Sequence, residues 1–328
     1  MPDTVDGVPF WLLKVTVLLL GAAFGSFANV LIYRVPQGLS IVRPGSSCPG
    51  CGAPIRWYDN VPVLGWILLG GKCRDCRSPI SIRYPLVELS MAVLSLACLY
   101  LAVLRSEGLA DVQGLAVLWV FPFAFCFLLV VLTFVDLEHW RIPHVFTLTG
   151  AGLGLAGSLL MPNFTDIGWK ESLLGMVVGA LPIAALIEVY FRLTRREGMG
   201  YGDVMLLGMI GATLGVQSLP FIFLASSVQG LLVAVPMILV ARRSPTPPWE
   251  AEEAAARAAS ESTSGTPDHD ASPGPSATPD ASTVDATPAS EPRTSGLRHA
   301  AVPFGPFLSL AAMEWLFFGD LLKDWFLP

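Results

Sequence analysis

Two aspartates and four cysteines are the residues of this chain whose types and spacing suit chemistry. Asp203 stands in GMGYGDVMLLGMIGATLG (residues 198–215), behind Gly198, Gly200 and Gly202 and at the mouth of an apolar helix. Asp136 stands in LTFVDLEHWRIPH (132–144), at the end of another apolar run. A carboxylate at membrane depth costs about 2.5–3.5 kcal/mol on insertion scales and usually has a functional reason. Two carboxyls sharing one site cannot both ionise easily, so the pair holds one proton at working pH. The ionised member can take a proton from water while the protonated one polarises a scissile carbonyl. That is the chemistry of an aspartic endopeptidase.

The cysteines form CPGC (48–51) and CRDC (73–76), a C-x2-C-x21-C-x2-C pattern. Each CxxC turn places two thiolates on one side, and two such turns complete a tetrahedral S4 zinc site. Lys72, Arg74 and Arg77 favour the thiolates. The competing reading is two disulfides, which a reducing cytoplasm disfavours. With all four positions filled by Cys48, Cys51, Cys73 and Cys76, the metal is expected to be structural, because catalytic zinc needs an open position. Cys98 and Cys126 fall inside apolar runs and read as packing residues.

These groups must be held by membrane helices. The chain has 328 residues, 53% hydrophobic and 14% charged, with a mean hydropathy of +0.60. That is too apolar for an ordinary soluble domain. Blocks long enough to cross a bilayer lie near 10–32, 85–104, 115–135, 145–161, 172–191, 203–218, 219–241 and 303–319. The fourth is short, and the sixth and seventh share an almost uncharged junction at GVQSLP. The predicted fold is an all-α polytopic membrane protein of about eight transmembrane helices. A small cytoplasmic zinc-ribbon-like domain (33–84) separates the first helix (with residues 1–32) from helices two to seven (85–243). Seven basic residues, from Arg34 to Arg83, crowd that first loop, so it is predicted to be cytoplasmic and the N-terminus external. The acidic start MPDTVDGVPF lacks a basic region, so the first span is expected to be retained. Residues 244–300 carry nine acidic residues against three arginines, and the segment is rich in Ala, Ser, Thr and Pro. It is expected to be a disordered linker (244–302) before a last span at 303–328.

Other polar residues on these helices have structural readings. Glu138 is expected to be a solvated loop residue, and Glu188 to pair with Arg192 at i+4. Glu88 and Glu314 are further intramembrane candidates. His139 and His144 lie near Asp136 without the spacing of a metal motif. Gly211 and Gly215 form GxxxG, a spacing that brings transmembrane helices close.

Five segments in order resemble the type IV prepilin peptidase family: GSFANVLIYRVP, the paired CxxC loop with ISIRYPLVE, FVDLEHWRIP, GMGYGDV and VPFGPFLSLAA. Gly200-Tyr201-Gly202-Asp203 is also the GxGD pattern shared with presenilin-like intramembrane proteases. The resemblance implies that Asp136 and Asp203 are the catalytic pair and that the four cysteines bind zinc. It implies cleavage of a short basic leader from prepilins and pseudopilins at the cytoplasmic face of a bacterial inner membrane. It also implies methylation of the new N-terminus from S-adenosylmethionine. Gly200 and Gly202 are expected to admit the extended peptide, and Gly25, Asn29 and Glu88 to contact substrate or methyl donor. Prepilins and lipid are the expected partners, and nucleic acid is not.

Three departures from the family pattern stand out. Met205 replaces a usual lysine, which either leaves the pair without a nearby cation and its pKa values higher or passes the lysine's role to Arg195 or Arg196; His144 follows the IP; and the acidic insert precedes the last span. The rival reading is a proton- or cation-coupled transporter using Asp136 and Asp203. That reading requires midplane carboxylates and paired repeats.

Overall fold

In the computed structural model, residues 3–106, 111–160, 167–194, 200–243 and 303–326 are described. They fall into two units, Met1–Gly230 with Pro303–Pro328, and Leu231–Val302. Residues 244–302, the expected linker, lie outside the described residues, as do Arg195 and Arg196. The first unit holds both aspartates and all the cysteines.

The chain opens with a hairpin, β1 (Thr4–Val5) paired antiparallel with β2 (Val8–Pro9). Its Asp6 carboxylate accepts the Val112 N–H at 2.9 Å. Helices then follow in the predicted order: α1 (Phe10–Arg34), a five-residue α2 (Leu64–Leu68) in the first loop, α3 (Arg83–Arg105), α4 (Val112–His139) and α5 (His144–Leu160). After these come α6 (Trp169–Thr194), α7 (Tyr201–Leu214), α8 (Leu219–Arg243) and α9 (Gly305–Phe326). Eight of them match the eight predicted spans. Among the described residues, six are long and apolar enough to cross a membrane, whereas α5 and α7 are shorter. The latter part of α8 belongs to the second unit.

Burial ranks the helices. In α4, 67% of the most apolar stretch is buried inside the protein, against 17% in α6. So α4 is the hub, and α6 leaves most of its apolar surface for lipid. Helix α4 starts cleanly because Asp111 caps it, accepting the Gly114 N–H at 2.7 Å. It ends where Trp140 turns left-handed (φ 54°) and returns its N–H to the Asp136 carbonyl at 2.9 Å. Asp136 therefore lies one turn from the end of the most enclosed helix.

Two seams bring backbones close. Helix α1 packs on α3 with Gly21 and Gly25 at the contact; a Cβ at Gly25 would stand 2.5 Å from the Glu88 Cα. Trp119 Nε1 ties α4 to the same seam by donating to the Ser95 carbonyl at 2.9 Å. The second seam joins α6 and α7. A Cβ on Gly175 would strike the Gly211 carbonyl oxygen, and one on Gly211 would strike that of Gly175. A Cβ on Gly179 would meet the Leu207 carbonyl at 2.6 Å. The close-contact spacing is thus Gly175–Gly179 on α6, set against Gly211. This corrects the expected Gly211–Gly215 pair: Gly215 adopts φ +80° and ends α7, leading into a 3-10 turn at Val216–Ser218.

Gly211→Ala is expected to lower the unfolding free energy by about 1–3 kcal/mol, because neither backbone can yield easily. Gly152→Ala on α5, where a Cβ meets nothing within 4 Å, is expected to be neutral or stabilising. Thermal unfolding of the two variants in one detergent measures the difference.

Candidate active site

Three chain segments meet around one side chain, Ile142, which is 9% exposed. It follows the end of α4 in the run Asp136–Pro143. A Cβ on Gly202 would stand 2.8 Å from the Ile142 Cβ, and one on Gly305 would stand 3.3 Å from its Cδ1. The same Gly305 donates its backbone N–H to Asp136 Oδ2 at 3.1 Å. So the end of α4, the start of α7 and the start of α9 share one corner, and α9 packs on both other helices. Helix α5 likewise packs on both α4 and α7.

Asp136 is buried at 6% exposure, while Asp203 is half-buried in the first turn of α7. Gly202, which precedes Asp203, and Gly305, which bonds Asp136, both pack on Ile142, so the two aspartates are carried to the same corner. Gly200, at the entry to α7, is exposed, as is Tyr201. The Asp203 N–H returns to the Gly200 carbonyl at 3.3 Å, closing the turn that carries the carboxylate. The corner is exposed on the Gly200 side, whereas Gly202 is packed on Ile142. Met205 is 41% exposed.

The cysteine loop is built from two matching knuckles. Cys48 N–H bonds to the Ala53 carbonyl and Cys73 N–H to the Ser78 carbonyl, both at 2.9 Å. The residue four after each first cysteine is left-handed: Gly52 at φ 71° and Arg77 at φ 61°. All six cysteines of the chain are free thiols, so no disulfide forms. The Sγ atoms of Cys48, Cys51, Cys73 and Cys76 lie within 4.8 Å of one another. Zn–S bonds of about 2.3 Å require sulfurs about 3.8 Å apart, and Cys48 and Cys76 are separated by 3.7 Å. The set therefore fits one tetrahedral ion. Ser78 Oγ reaches both Cys48 Sγ (3.5 Å) and Cys76 Sγ (3.1 Å). Its hydroxyl, with the amides of Cys51 and Gly50, lowers the Cys48 thiol to about 6, and it lowers Cys76 as well. The Ala53 amide favours the Cys51 thiolate, but the Cys76 sulfur, burial and the remaining thiols outweigh it and raise Cys51 to about 12. Thiols so unequal in a small volume are what a dication equalises, since a bound metal deprotonates its thiol ligands. Among the described residues this is the one group of three or more metal-ligating side chains gathered closely enough to hold an ion, so His139 and His144 belong to no second metal cluster.

The loop is fastened to the aspartate end of the helices. Glu88 Oε2 accepts the Val63 N–H at 2.7 Å, and Val63 itself sits at φ 62° ahead of α2. Asn29 Nδ2 donates to the Tyr84 carbonyl (3.1 Å) and the Gly25 carbonyl (3.3 Å). Gly25, Asn29 and Glu88 thus gather at one seam, between α1, α3 and the loop. Within the loop, Arg74 bonds to Asp59 through both Nε and Nη2, which holds the Asp59 carboxyl below its usual range. Glu138 lies in the last turn of α4 and not in a loop as expected, and it bonds Arg83 at the start of α3. That position at the helix end leaves it within reach of Arg83. Glu188 does pair with Arg192, at 2.7 Å. Glu314 on α9 accepts from Gln229 Nε2 on α8 at 2.9 Å.

Sequence reasoning missed the Gly305 amide, Ile142 as the shared contact, and Ser78 beside the thiols. Gly305 and Ile142 lie inside the motifs VPFGPFLSLAA and FVDLEHWRIP, but nothing in their residue types announces these roles.

Comparison with known proteins matches this geometry to a family. Residues 19–102 match the bacterial peptidase A24 N-terminal domain, and residues 123–235 match the type IV leader peptidase family. A protein of Aeromonas hydrophila is 31% identical, the match covering 99% of this chain and 97% of the relative. One from Myxococcus xanthus is 41% identical over 71% of this chain and 65% of the relative's length, and one from Klebsiella pneumoniae is 36% identical over 69% and 96%. All three are named prepilin leader peptidase/N-methyltransferase. No solved structure matches the chain. The transporter reading finds no support in these relatives or in carboxylates gathered at helix ends. The chain belongs to the type IV leader peptidase family.

Proposed function

We propose that this protein is an intramembrane aspartic endopeptidase that removes the basic leader of prepilins and pseudopilins at the cytoplasmic face of a bacterial inner membrane. The observation that carries this reading is the convergence, on Ile142, of the segments that bear Asp136 and Asp203, beside the exposed Gly200. In this reading the substrate's apolar helix lies in the bilayer and its extended segment enters past Gly200 and Gly202. One aspartate takes a proton from water as the water oxygen attacks the scissile carbonyl carbon. The other gives its proton to the carbonyl oxygen. Collapse of the tetrahedral intermediate breaks the C–N bond, and the leaving amine receives a proton. The N-terminus is external and the cysteine loop cytoplasmic, as the basic first loop supports.

Cys48, Cys51, Cys73 and Cys76 would hold a structural zinc ion, which joins the two knuckles and leaves no coordination position for chemistry. The Asn29 amide nitrogen donates to the Tyr84 carbonyl and Glu88 Oε2 accepts the Val63 N–H, whereas the buried Asn29 Oδ1 has no hydrogen-bond partner among the described residues. Together with Gly25 they fasten the loop, and the unpartnered Asn29 Oδ1 is left to contact substrate or S-adenosylmethionine. The relatives' names include N-methyltransferase, and methylation of the new N-terminus is part of the proposed activity.

Co-expression with a prepilin tests the reading by the pilin's mass. The wild type is expected to cleave, and Asp136→Asn and Asp203→Asn each to lose at least about 100-fold in rate at normal membrane abundance. A single mutant that cuts at the wild-type rate removes that residue from the mechanism. Elemental analysis is expected to find about one zinc per chain, lost in Cys48→Ser together with several degrees of thermal stability.

A further inference from the structure

The two aspartates are not held alike, and the start of α9 makes the difference. Its first-turn donors can be counted. Pro306 has no N–H, while Phe307 and Leu308 both donate to the Phe304 carbonyl, at 3.1 and 3.3 Å. The Gly305 N–H remains, and it is directed at Asp136 Oδ2 at 3.1 Å. An N–H can only donate, so it favours the oxygen that bears charge, and a 22-residue helix adds the positive end of its dipole. Residue 305 must lack a side chain for this contact, because a Cβ there would stand 2.6 Å from Asp136 Oδ2 with Ile142 on its other side. Asp203 also lies in a first helical turn and feels the field of α7. Among the described residues, however, no donor is aimed at its carboxyl.

Resting on the peptidase reading above, we propose that the Gly305 amide fixes Asp136 as the ionised member of the pair, leaving Asp203 to carry the shared proton. Asp136 then takes the proton from the attacking water, and Asp203 gives its own to the scissile carbonyl oxygen. Gly305 is a positioning residue, acting through Asp136. Charged groups on the other elements packed around α4 are otherwise engaged or on the seam side: Arg83 of α3 bonds Glu138, and Arg34 of α1 bonds the Ser40 and Pro44 carbonyls. Glu314 of α9 is held by Gln229. The other charged or titratable groups near this end of the helices include His139 on α4, Arg141 in the turn after it, His144 at the start of α5 and Glu88 of α3, which accepts the Val63 N–H, together with Asp203 itself.

Two measurements test the assignment on the full chain in detergent or nanodiscs. In the first, the pH dependence of prepilin cleavage is compared for the wild type and Gly305→Ala. The acid limb of kcat/KM is expected to move to higher pH by about one unit, with kcat down about tenfold or more and KM within about twofold. An unchanged limb and kcat overturn the proposal. The second needs no change at Gly305: infrared titration of the remaining carboxyl in Asp203→Asn and in Asp136→Asn. Asp136 is the more buried of the two, so burial alone predicts that it protonates at the higher pH. The proposal expects the opposite order, with Asp136 ionised to lower pH than Asp203, and the burial order overturns it. If the wild type does not cleave, or either Asp→Asn variant does, the peptidase reading fails instead, and the two failures are told apart.

Discussion

The shortness of α7 constrains everything around it. Its 14 residues reach about 21 Å, less than the ~30 Å of a bilayer's apolar core. A helix that cannot span must be covered by protein, because lipid cannot satisfy its ends. Accordingly Val204 and every residue from Leu206 to Thr213 are buried. Helices α5, α6 and α9 supply the cover, and glycines on α6 let it approach to backbone contact. Asp203 inherits its setting from this arrangement. It sits in the first turn of a short enclosed helix, three residues after the exposed Gly200.

Around that helix the protein separates rigidity from access. Helix α4 is the most enclosed long helix and presents Asp136 one turn before a left-handed stop. Helix α6 is lipid-exposed, and its inner face is reserved for α7. The cysteine loop is tied to the helices by Glu88, which accepts the Val63 N–H, while the salt bridge between Arg83 and Glu138 joins the base of α3 to the end of α4. Knuckles, loop and aspartates are linked through the ends of α1, α3 and α4.

Much of this was legible in the residues themselves. Eight apolar blocks mapped onto eight helices because polar or glycine-rich breaks separate them, even at GVQSLP, where Gly215 and a 3-10 turn make the break. The CxxC pairs announced the knuckles, since spacing alone determines that geometry. Glu188 and Arg192 were legible for the same local reason. What escaped were contacts between backbone atoms and distant side chains. Gly211 was read with Gly215, the neighbour at the right spacing, whereas its partner proved to be Gly175 on another helix. The Val63 amide has no residue type to betray that it meets Glu88, and the same is true of the Gly305 amide and Asp136. One-dimensional periodicity reports which face of a helix is apolar, not which carbonyl lies opposite.

The hydrogen bond between Asp136 and Gly305 spans 169 positions of sequence. A ribosome makes the chain from its N-terminus, so Asp136 enters the membrane long before the residue that completes its surroundings exists. Helices α5 to α8, together with the whole 244–302 segment, are synthesised in the interval. Nascent chains lacking α9 therefore carry both aspartates and the full cysteine loop but not the amide that, in the proposed mechanism, divides the labour between the acids. On that mechanism the two acids acquire their separate roles only at the last step of biogenesis, when Gly305 reaches Asp136.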